Sequence, residues 1–419
     1  MKFNLKFGRE EINLEIEQKN LLGVLKANMV EGGLTGTQEV KKALGHPINS
    51  QRLRNIVKPG EKVTIITSDI TRPMPSKVVL PHILDELNIA GVNNEDITIV
   101  FALGSHRAHT EDEKKHLVGE EIYNKFKCID SDTQDFIHLG YTSNNTPIDI
   151  FRPVVEADRR ICLGNIEYHY FAGYSGGAKA IMPGVSTRAA VQANHSRMVD
   201  KNAYAGNLDS NPVRIDIEET IKLVPIDFIL NVVLNEEKEI IKAVAGNYIH
   251  AHRNGCRFLD TLYKVELKEK ADIVITSIGG YPKDINLYQA QKALDNAKHA
   301  VKDGGIIILV ASCKEGLGEK VFEDWMLEAN SPGELIERVE RKFELGGHKA
   351  AAIAMVLERA RVFLVSEMDE DFVNKIFLEP YNDVQNAYNN AIKIMGQDAK
   401  VLVIPNGGSI LPFLDEDNL

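Results

Sequence analysis

Residues 63–103 read VTIITSDITRPMPSKVVLPHILDELNIAGVNNEDITIVFAL, and this stretch decides the fold class. Val63–Thr67 and Ile97–Leu103 are short, apolar and rich in β-branched residues, as buried strands are. Between them, Pro75–Ala90 has the length and periodicity of an amphipathic helix. A strand, a helix and a second strand in this order predict two parallel strands joined by a crossover helix.

The same rhythm continues along the chain. Helix-length segments such as Leu287–Asp303 separate several further apolar runs, so we predict an α/β protein with mostly parallel sheets. The charged stretch Lys264–Lys270 precedes a fresh strand and suggests a domain boundary. We expect an N-terminal α/β domain at 1–265, a C-terminal one at 266–419 and an active-site cleft between them. The further runs are Ile161–Gly164, Ile273–Ser277, Ile306–Ala311, Val362–Val365 and Val401–Ile404.

The first residues follow a different pattern. Phe3, Leu5 and Phe7, and then Ile12, Leu14 and Ile16, alternate with polar residues around Gly8. A period of two on both sides of a glycine predicts a β-hairpin.

Composition excludes several classes of protein. The net charge of −11 is spread over 419 residues without a basic run, which argues against nucleic acid as a partner. No stretch of about 18 apolar residues and no export signal is encoded, so we expect a cytoplasmic protein that does not enter membranes. The cysteines show no CxxC pair, unlike a zinc cage or a disulfide scaffold.

Polar residues follow the first two strands. Asp69, Ile70, Thr71 and Arg72 come after Val63–Thr67, at an edge where open α/β sheets bind ligands, and could hold a phosphate or carboxylate. The alternative is an ordinary capped turn with a surface arginine. His106 follows the next strand, where an imidazole could act as a general base or merely bond a turn.

Residues 164–184 read GNIEYHYFAGYSGGAKAIMPG and are the most unusual segment. Glycines permit close backbone approach, and a lysine in such a loop, Lys179, could be a nucleophile or a covalent tether. A Walker-type phosphate loop does not fit, because Ala178 and Ala180 replace its second glycine and its Ser or Thr. After it, Ser186 could cap a helix that ends at His195, a metal ligand or a structural histidine.

A polar group is also expected in the second half. After Ile273–Ser277 and a double glycine, helical spacing places Tyr288, Gln289 and Lys292 toward one side. They could face a small carboxylate, or form a solvated helix face.

Taken together, SDITRP, GSHR, EYHYFAGYSGGAKAIMPG, the following ANH and YPKDINLYQAQKAL resemble the signature segments of the LarA-type nickel-dependent lactate racemase family. The resemblance covers nearly the whole chain. It implies a 2-hydroxy acid racemase or epimerase, with lactate as the default substrate. It also implies a nickel-pincer nucleotide, a pyridinium mononucleotide that binds nickel through two thiocarboxylate arms, made by separate cofactor-biosynthesis proteins.

The resemblance assigns roles to residues of this chain. It implies Lys179 as the cofactor tether, His195 as the nickel ligand, and Asp69, Ile70, Thr71 and Arg72 as nucleotide contacts. It implies His106 and His169 as the acid–base pair. It implies Tyr288, Gln289 and Lys292 as substrate-binding residues, and Arg72 as a further contact of the substrate carboxylate. Two rival hypotheses remain: a zinc hydrolase that uses Asp69 and the histidines, and a two-domain protein that binds a carboxylate without turnover.

Overall fold

A computed structural model of the chain describes residues 1–28 and 33–414. The strands are β1 (Lys2–Phe7), β2 (Glu10–Glu15), β3 (Leu21–Val24), β4 (Val63–Ser68), β5 (Ile97–Ala102), β6 (Lys127–Asp130), β7 (Phe136–Tyr141), β8 (Pro147–Phe151), β9 (Arg159–Asn165), β10 (Tyr168–His169), β11 (Gly173–Tyr174), β12 (Phe228–Leu234), β13 (Ile240–Gly246), β14 (Lys264–Leu267), β15 (Ala271–Ser277), β16 (Val301–Val310), β17 (Arg361–Val365), β18 (Glu379–Tyr381), β19 (Val401–Ile404) and β20 (Leu411–Leu414).

The α-helices are α1 (Thr37–Gly45), α2 (Leu53–Ile56), α3 (Ser76–Ile89), α4 (Glu111–Val118), α5 (Glu120–Lys125), α6 (Arg152–Val155), α7 (Arg188–His195), α8 (Pro212–Thr220), α9 (His250–Tyr263), α10 (Leu287–Ala297), α11 (Lys320–Glu328), α12 (Pro332–Arg341), α13 (Gly347–Leu357), α14 (Glu370–Lys375) and α15 (Val384–Met395). Within the described ranges, no helix is long and apolar enough to cross a membrane.

The chain forms two compact units, and the predicted α/β class with mostly parallel sheets is confirmed. One unit comprises Val30–Asp260, and the other combines Met1–Met29 with Thr261–Leu419. The first contains a six-stranded sheet of order β13-β12-β9-β4-β5-β6, in which only the pair of β12 and β13 is antiparallel. The second contains a six-stranded parallel sheet of order β18-β17-β16-β15-β19-β3.

The observed units differ from the predicted domains in where the N-terminal residues belong. The sequence prediction assigned 1–265 to one domain, but β3 pairs in parallel with β19 in the sheet of the second unit, to which Met1–Met29 belongs. The predicted hairpin does form, between β1 and β2, and its Leu5 and Leu14 are buried in one apolar cluster with Ile273 and Ile275. Burying a leucine side chain contributes roughly 2 kcal/mol, so these contacts draw the N-terminal segment into the second unit.

Two local predictions also need correction. The predicted helix Leu287–Asp303 is shorter, because α10 ends at Ala297 and Val301 already begins β16. The cap of α7 is Thr187, whose hydroxyl accepts a hydrogen bond from the Ala190 N–H, whereas the Ser186 hydroxyl donates to the Ile181 carbonyl. Serine and threonine are both good caps, so sequence alone could not choose between neighbours.

Candidate active site

The carboxyl ends of neighbouring strands β4 and β5 bring Asp69 and His106 into contact. The His106 Nδ1 lies 2.6 Å from Asp69 Oδ2, and the Thr71 hydroxyl donates to both carboxylate oxygens at 2.9 and 3.1 Å. Asp69 is 3% exposed and His106 29%. An ionised carboxylate can accept hydrogen bonds but cannot donate them. His106 Nδ1 therefore carries the proton, and the lone pair of the neutral ring lies on Nε2.

The charge state of Asp69 agrees with this geometry. Burial by itself would raise the pKa of the carboxyl, but the hydrogen bond and charge of His106, aided by Thr71 and Arg72, outweigh burial and hold the pKa below its usual range. An ionised Asp69 therefore orients His106 and stabilises its protonated form. This is the arrangement of a general base with its orienting partner.

A second histidine on the same loop, His109, has a structural role. Its Nδ1 lies 2.7 Å from Asp130 Oδ1, and its Nε2 accepts the Ile70 N–H at 3.0 Å. The side chain is 1% exposed. Because both ring nitrogens are engaged, His109 holds the Asp69–Arg72 turn in place, and His106 remains the candidate base of this loop.

Residues 164–184 form a short ladder and a turn that present Lys179. β10 pairs with β11, and a 3₁₀ turn, Gly177–Ala180, follows. The segment is joined to the His106 loop, because the Gly104 N–H donates to the Gly184 carbonyl at 2.9 Å. The structure thus brings two of the predicted strand-end segments together.

The chemistry of Lys179 is altered by its surroundings. The side chain is partly buried. Burial first, and then the positive charges of Arg214 and Arg72, lower its pKa well below the ordinary value. Since only the neutral amine is nucleophilic, this environment suits a lysine that forms a covalent bond.

Three buried polar side chains that sequence reasoning missed hold the backbone of this loop. Asn231 accepts the Gly177 N–H at 2.8 Å, and His252 Nε2 bonds the Ser175 carbonyl at 2.8 Å. The guanidinium of Arg214 donates to the Tyr174 carbonyl. All three are at most 1% exposed. Asn231 could have been noticed in the sequence, since it is the polar residue of the otherwise apolar run FILNVVL. Nothing in the sequence around His252 or Arg214 indicated their roles.

Gly177 has no room for a side chain. A Cβ atom there would lie 2.9 Å from two ring atoms of His252, and φ is +59°. We expect Gly177→Ala to lower the free energy of unfolding by about 2 kcal/mol more than Gly60→Ala, measured by urea denaturation. Gly60 also has positive φ, +80°, but open space around it, so it isolates the steric effect. Equal losses in the two variants would contradict the tight fit of the loop.

The ring of Phe171 is the centre around which three predicted site residues gather. Its centroid lies 4.5 Å from that of His169, 4.9 Å from that of His195 and 6.0 Å from Lys179 Nζ. The candidate tether, metal ligand and second base thus share one aromatic neighbour. The His169 Nδ1 accepts the Ala172 N–H at 3.3 Å.

The second unit carries the remaining predicted residues on α10. The Asn286 side chain caps this helix by accepting the Gln289 N–H at 3.1 Å. Lys292 is exposed, and Tyr288 and Gln289 are partly buried. One helix therefore presents all three, as the spacing predicted, and their role in substrate binding stays a prediction.

Comparison with known proteins identifies the family. Residues 7–206 match the lactate racemase N-terminal domain, and residues 266–411 match the lactate racemase C-terminal domain. A lactate racemase from Thermoanaerobacterium thermosaccharolyticum is 34% identical over 97% of both chains, and one from Lactiplantibacillus plantarum is 32% identical over 97% of this chain and 99% of the relative.

Solved structures agree with this result. The structure of the lactate racemase apoprotein from T. thermosaccharolyticum superposes with a TM-score of 0.89 at 32% identity, covering 98% of this chain and all of that one. A Thermotoga maritima protein, 18% identical with a TM-score of 0.63, shares the fold. The chain is therefore an isomerase that belongs to the lactate racemase family.

Proposed function

We propose that this chain racemises a 2-hydroxy acid, with lactate as the default substrate, and carries a nickel-pincer nucleotide on Lys179 and His195. The observation that supports this most is the convergence of both residues on the Phe171 ring. The residues fit the group: the lowered pKa of Lys179 favours a neutral amine, which could condense with a thiocarboxylic acid arm to a thioamide with loss of water, and imidazole is a donor that nickel accepts.

When bound, this cofactor would supply an acceptor for the hydride of Cα. The alternative, removal of Cα–H as a proton, is difficult because the adjacent carboxylate does not stabilise a carbanion. A planar 2-keto acid can instead be reduced from either face. The cofactor does the redox chemistry, and the protein binds, orients and moves protons.

The proton steps fall to two histidines. Loss of hydride from Cα must accompany loss of the hydroxyl proton, and each enantiomer needs its own base. His106 Nε2 takes the proton of one enantiomer, and the charge of Asp69 stabilises the imidazolium that results. His169 serves the other enantiomer through Nδ1, whose lone pair accepts the Ala172 N–H in the structure and must be released to take the proton. Asp69 orients His106, and the same carboxylate could also contact the nucleotide, as the resemblance implies, because each of its oxygens can accept more than one hydrogen bond.

Substrate binding completes the proposal. Arg72 is an exposed cation beside Asp69, suited to the substrate carboxylate, and Ile70 and Thr71 line the same turn. Lys292, Gln289 and Tyr288 would contact the substrate and stabilise the carbonyl oxygen. Maturation requires proteins that synthesise the cofactor.

The zinc alternative needs about three protein ligands. Among residues 1–28 and 33–414, no three His, Cys, Asp or Glu side chains are grouped to hold a metal ion. The pincer nucleotide supplies its own sulfur and carbon donors, so one histidine suffices.

The substrate test uses chain co-expressed with the cofactor-building proteins. We expect nickel in the purified protein and interconversion of the enantiomers of lactate or a close 2-hydroxy acid, followed by chiral chromatography over a panel of such acids. Bound zinc with ester or amide hydrolysis would support the hydrolase. Binding of 2-hydroxy acids by cofactor-loaded chain without turnover would support the binding protein.

A further inference from the structure

The residue before the candidate nickel ligand links it to a buried carboxylate. Asn194 Nδ2 donates to Asp216 Oδ2 at 2.9 Å and to the Val213 carbonyl at 3.1 Å, while its Oδ1 lies 3.0 Å from His195 Nδ1. Asn194 and Asp216 are 0% exposed and His195 9%. The amide of Asn194 therefore lies between the imidazole and the carboxylate, out of contact with water.

The carboxylate is itself held by the turn between β7 and β8. The Thr146 hydroxyl donates to Asp216 Oδ2 at 2.5 Å, and the Thr142 hydroxyl donates to Oδ1. With the Asn194 amide, three donors converge on Asp216. Such a set satisfies a buried carboxylate in its ionised, accepting form.

This arrangement determines which nitrogen of His195 carries the proton. A carbonyl oxygen and a carboxylate can only accept, so the side of Asn194 that faces Val213 and Asp216 must be its NH₂ group. The amide oxygen then faces His195 Nδ1, and an oxygen requires a donor there. The neutral ring must therefore be protonated at Nδ1, with its lone pair on Nε2.

We propose that Asn194 and Asp216 are positioning residues that hold His195 in the Nδ1–H tautomer, so that Nε2 is the atom that binds nickel. This inference rests on the proposed function only in naming nickel as the ligand of Nε2. A metal-bound histidine needs its other ring nitrogen fixed by an acceptor, which sets both the tautomer and the angle of the ring. Here the acceptor is an amide whose orientation is enforced by the Asp216 carboxylate together with the Val213 carbonyl.

The first arm of the test observes the tautomer directly in the cofactor-free chain. Long-range ¹H–¹⁵N correlation spectra of protein labelled at histidine nitrogen distinguish a protonated ring nitrogen from one with a lone pair. Absence of one signal in His195→Gln assigns His195. We expect a single Nδ1–H tautomer in the wild-type chain. A wild-type His195 protonated at Nε2 would overturn the proposal.

Two variants test the positioning residues. Asn194→Leu removes the acceptor at similar size, and Asp216→Asn is nearly isosteric, so it keeps the test informative if the first variant fails to fold. Asn194→Leu should replace the single tautomer by a mixture, and Asp216→Asn should add a smaller share of the Nε2–H form, because the Val213 carbonyl still accepts from the Asn194 amide. Thr187→Ala, which removes the cap at the other end of α7, controls for loosening of the helix and should keep the Nδ1–H form. An unchanged His195 spectrum in both folded variants would overturn the proposal.

The second arm measures nickel retention in cofactor-loaded protein. Loss of nickel to a chelator should be about 10- to 100-fold faster in Asn194→Leu than in the wild type, and faster to a smaller extent in Asp216→Asn, while the mass increase on Lys179 persists. Equal rates of loss would overturn the positioning role. A wild-type chain without nickel or added mass would instead refute the proposed function and leave the tautomer result standing.

Discussion

His106→Ala is expected to reduce racemisation about 10³-fold in both directions, because general acid–base catalysis by a positioned group contributes roughly 10²–10⁴-fold. The two-base scheme makes a sharper prediction. Without His106, one enantiomer loses its base, but the other can still be oxidised by way of His169. Trapping the 2-keto acid in single-turnover experiments should show product from only one enantiomer, and His169→Ala should show the reverse preference.

Controls for this prediction come from the same chain. His116→Ala removes an exposed imidazole and should leave racemisation within about twofold of the wild type, as for surface sites in general. Asp69→Asn should lose about 10²-fold or more, because an amide can donate to His106 Nδ1 and thereby place the ring proton on Nε2. Oxidation of both enantiomers by both single-histidine variants would contradict the two-base scheme.

Lys179→Ala is expected to abolish racemisation, since the cofactor would have no covalent attachment. Lys179→Met should do the same and also raise the free energy of unfolding of the cofactor-free chain by about 1 kcal/mol, as relief of functional strain commonly does. The reason is the lowered pKa of Lys179: the protein disfavours the ammonium form that water favours.

The lowered pKa of Lys179 also makes the stability of the wild type depend on pH. Between the lowered folded pKa and the unfolded value of 10.5, the unfolded chain binds more protons at Lys179, so wild-type stability rises with pH over that window. The loss of folding stability that the Lys179 ammonium group causes is fully present at pH values below the folded-state pKa. It decreases as pH rises above that value and is gone above the unfolded-state pKa. Urea denaturation at several pH values should therefore show the gain of Lys179→Met shrinking toward alkaline pH. A gain that is constant with pH would contradict the lowered pKa.

Most of the fold could be predicted because its signals are local. β4, β5, β15 and β19 begin and end within two residues of the apolar runs that predicted them, and the hairpin follows from the alternation around Gly8. The membership of Met1–Met29 in the second unit could not be predicted. It depends on the pairing of β3 with β19, residues separated by nearly the whole chain, and periodicity carries no information on such pairing.

The candidate site divides in the same way. Lys179, His106 and His169 stand in glycine-rich or strand-end segments whose composition is unusual in itself. The residues that hold these segments in place come from stretches of ordinary composition. Arg214 and Asp216 lie on an ordinary amphipathic helix, and their roles arise from contacts with residues about 20 to 75 positions away. Buried hydrogen-bond partners become visible only once the fold is known.

The most direct test of the central claim is the intact mass of the chain co-expressed with the cofactor-building proteins, compared with Lys179→Ala made in the same way. The proposed function predicts a mass increase in the wild type that matches a nickel-pincer nucleotide, is absent from the variant and accompanies racemase activity. An unmodified wild-type chain that nevertheless interconverts the enantiomers, or that contains zinc instead, would contradict the role assigned to Lys179.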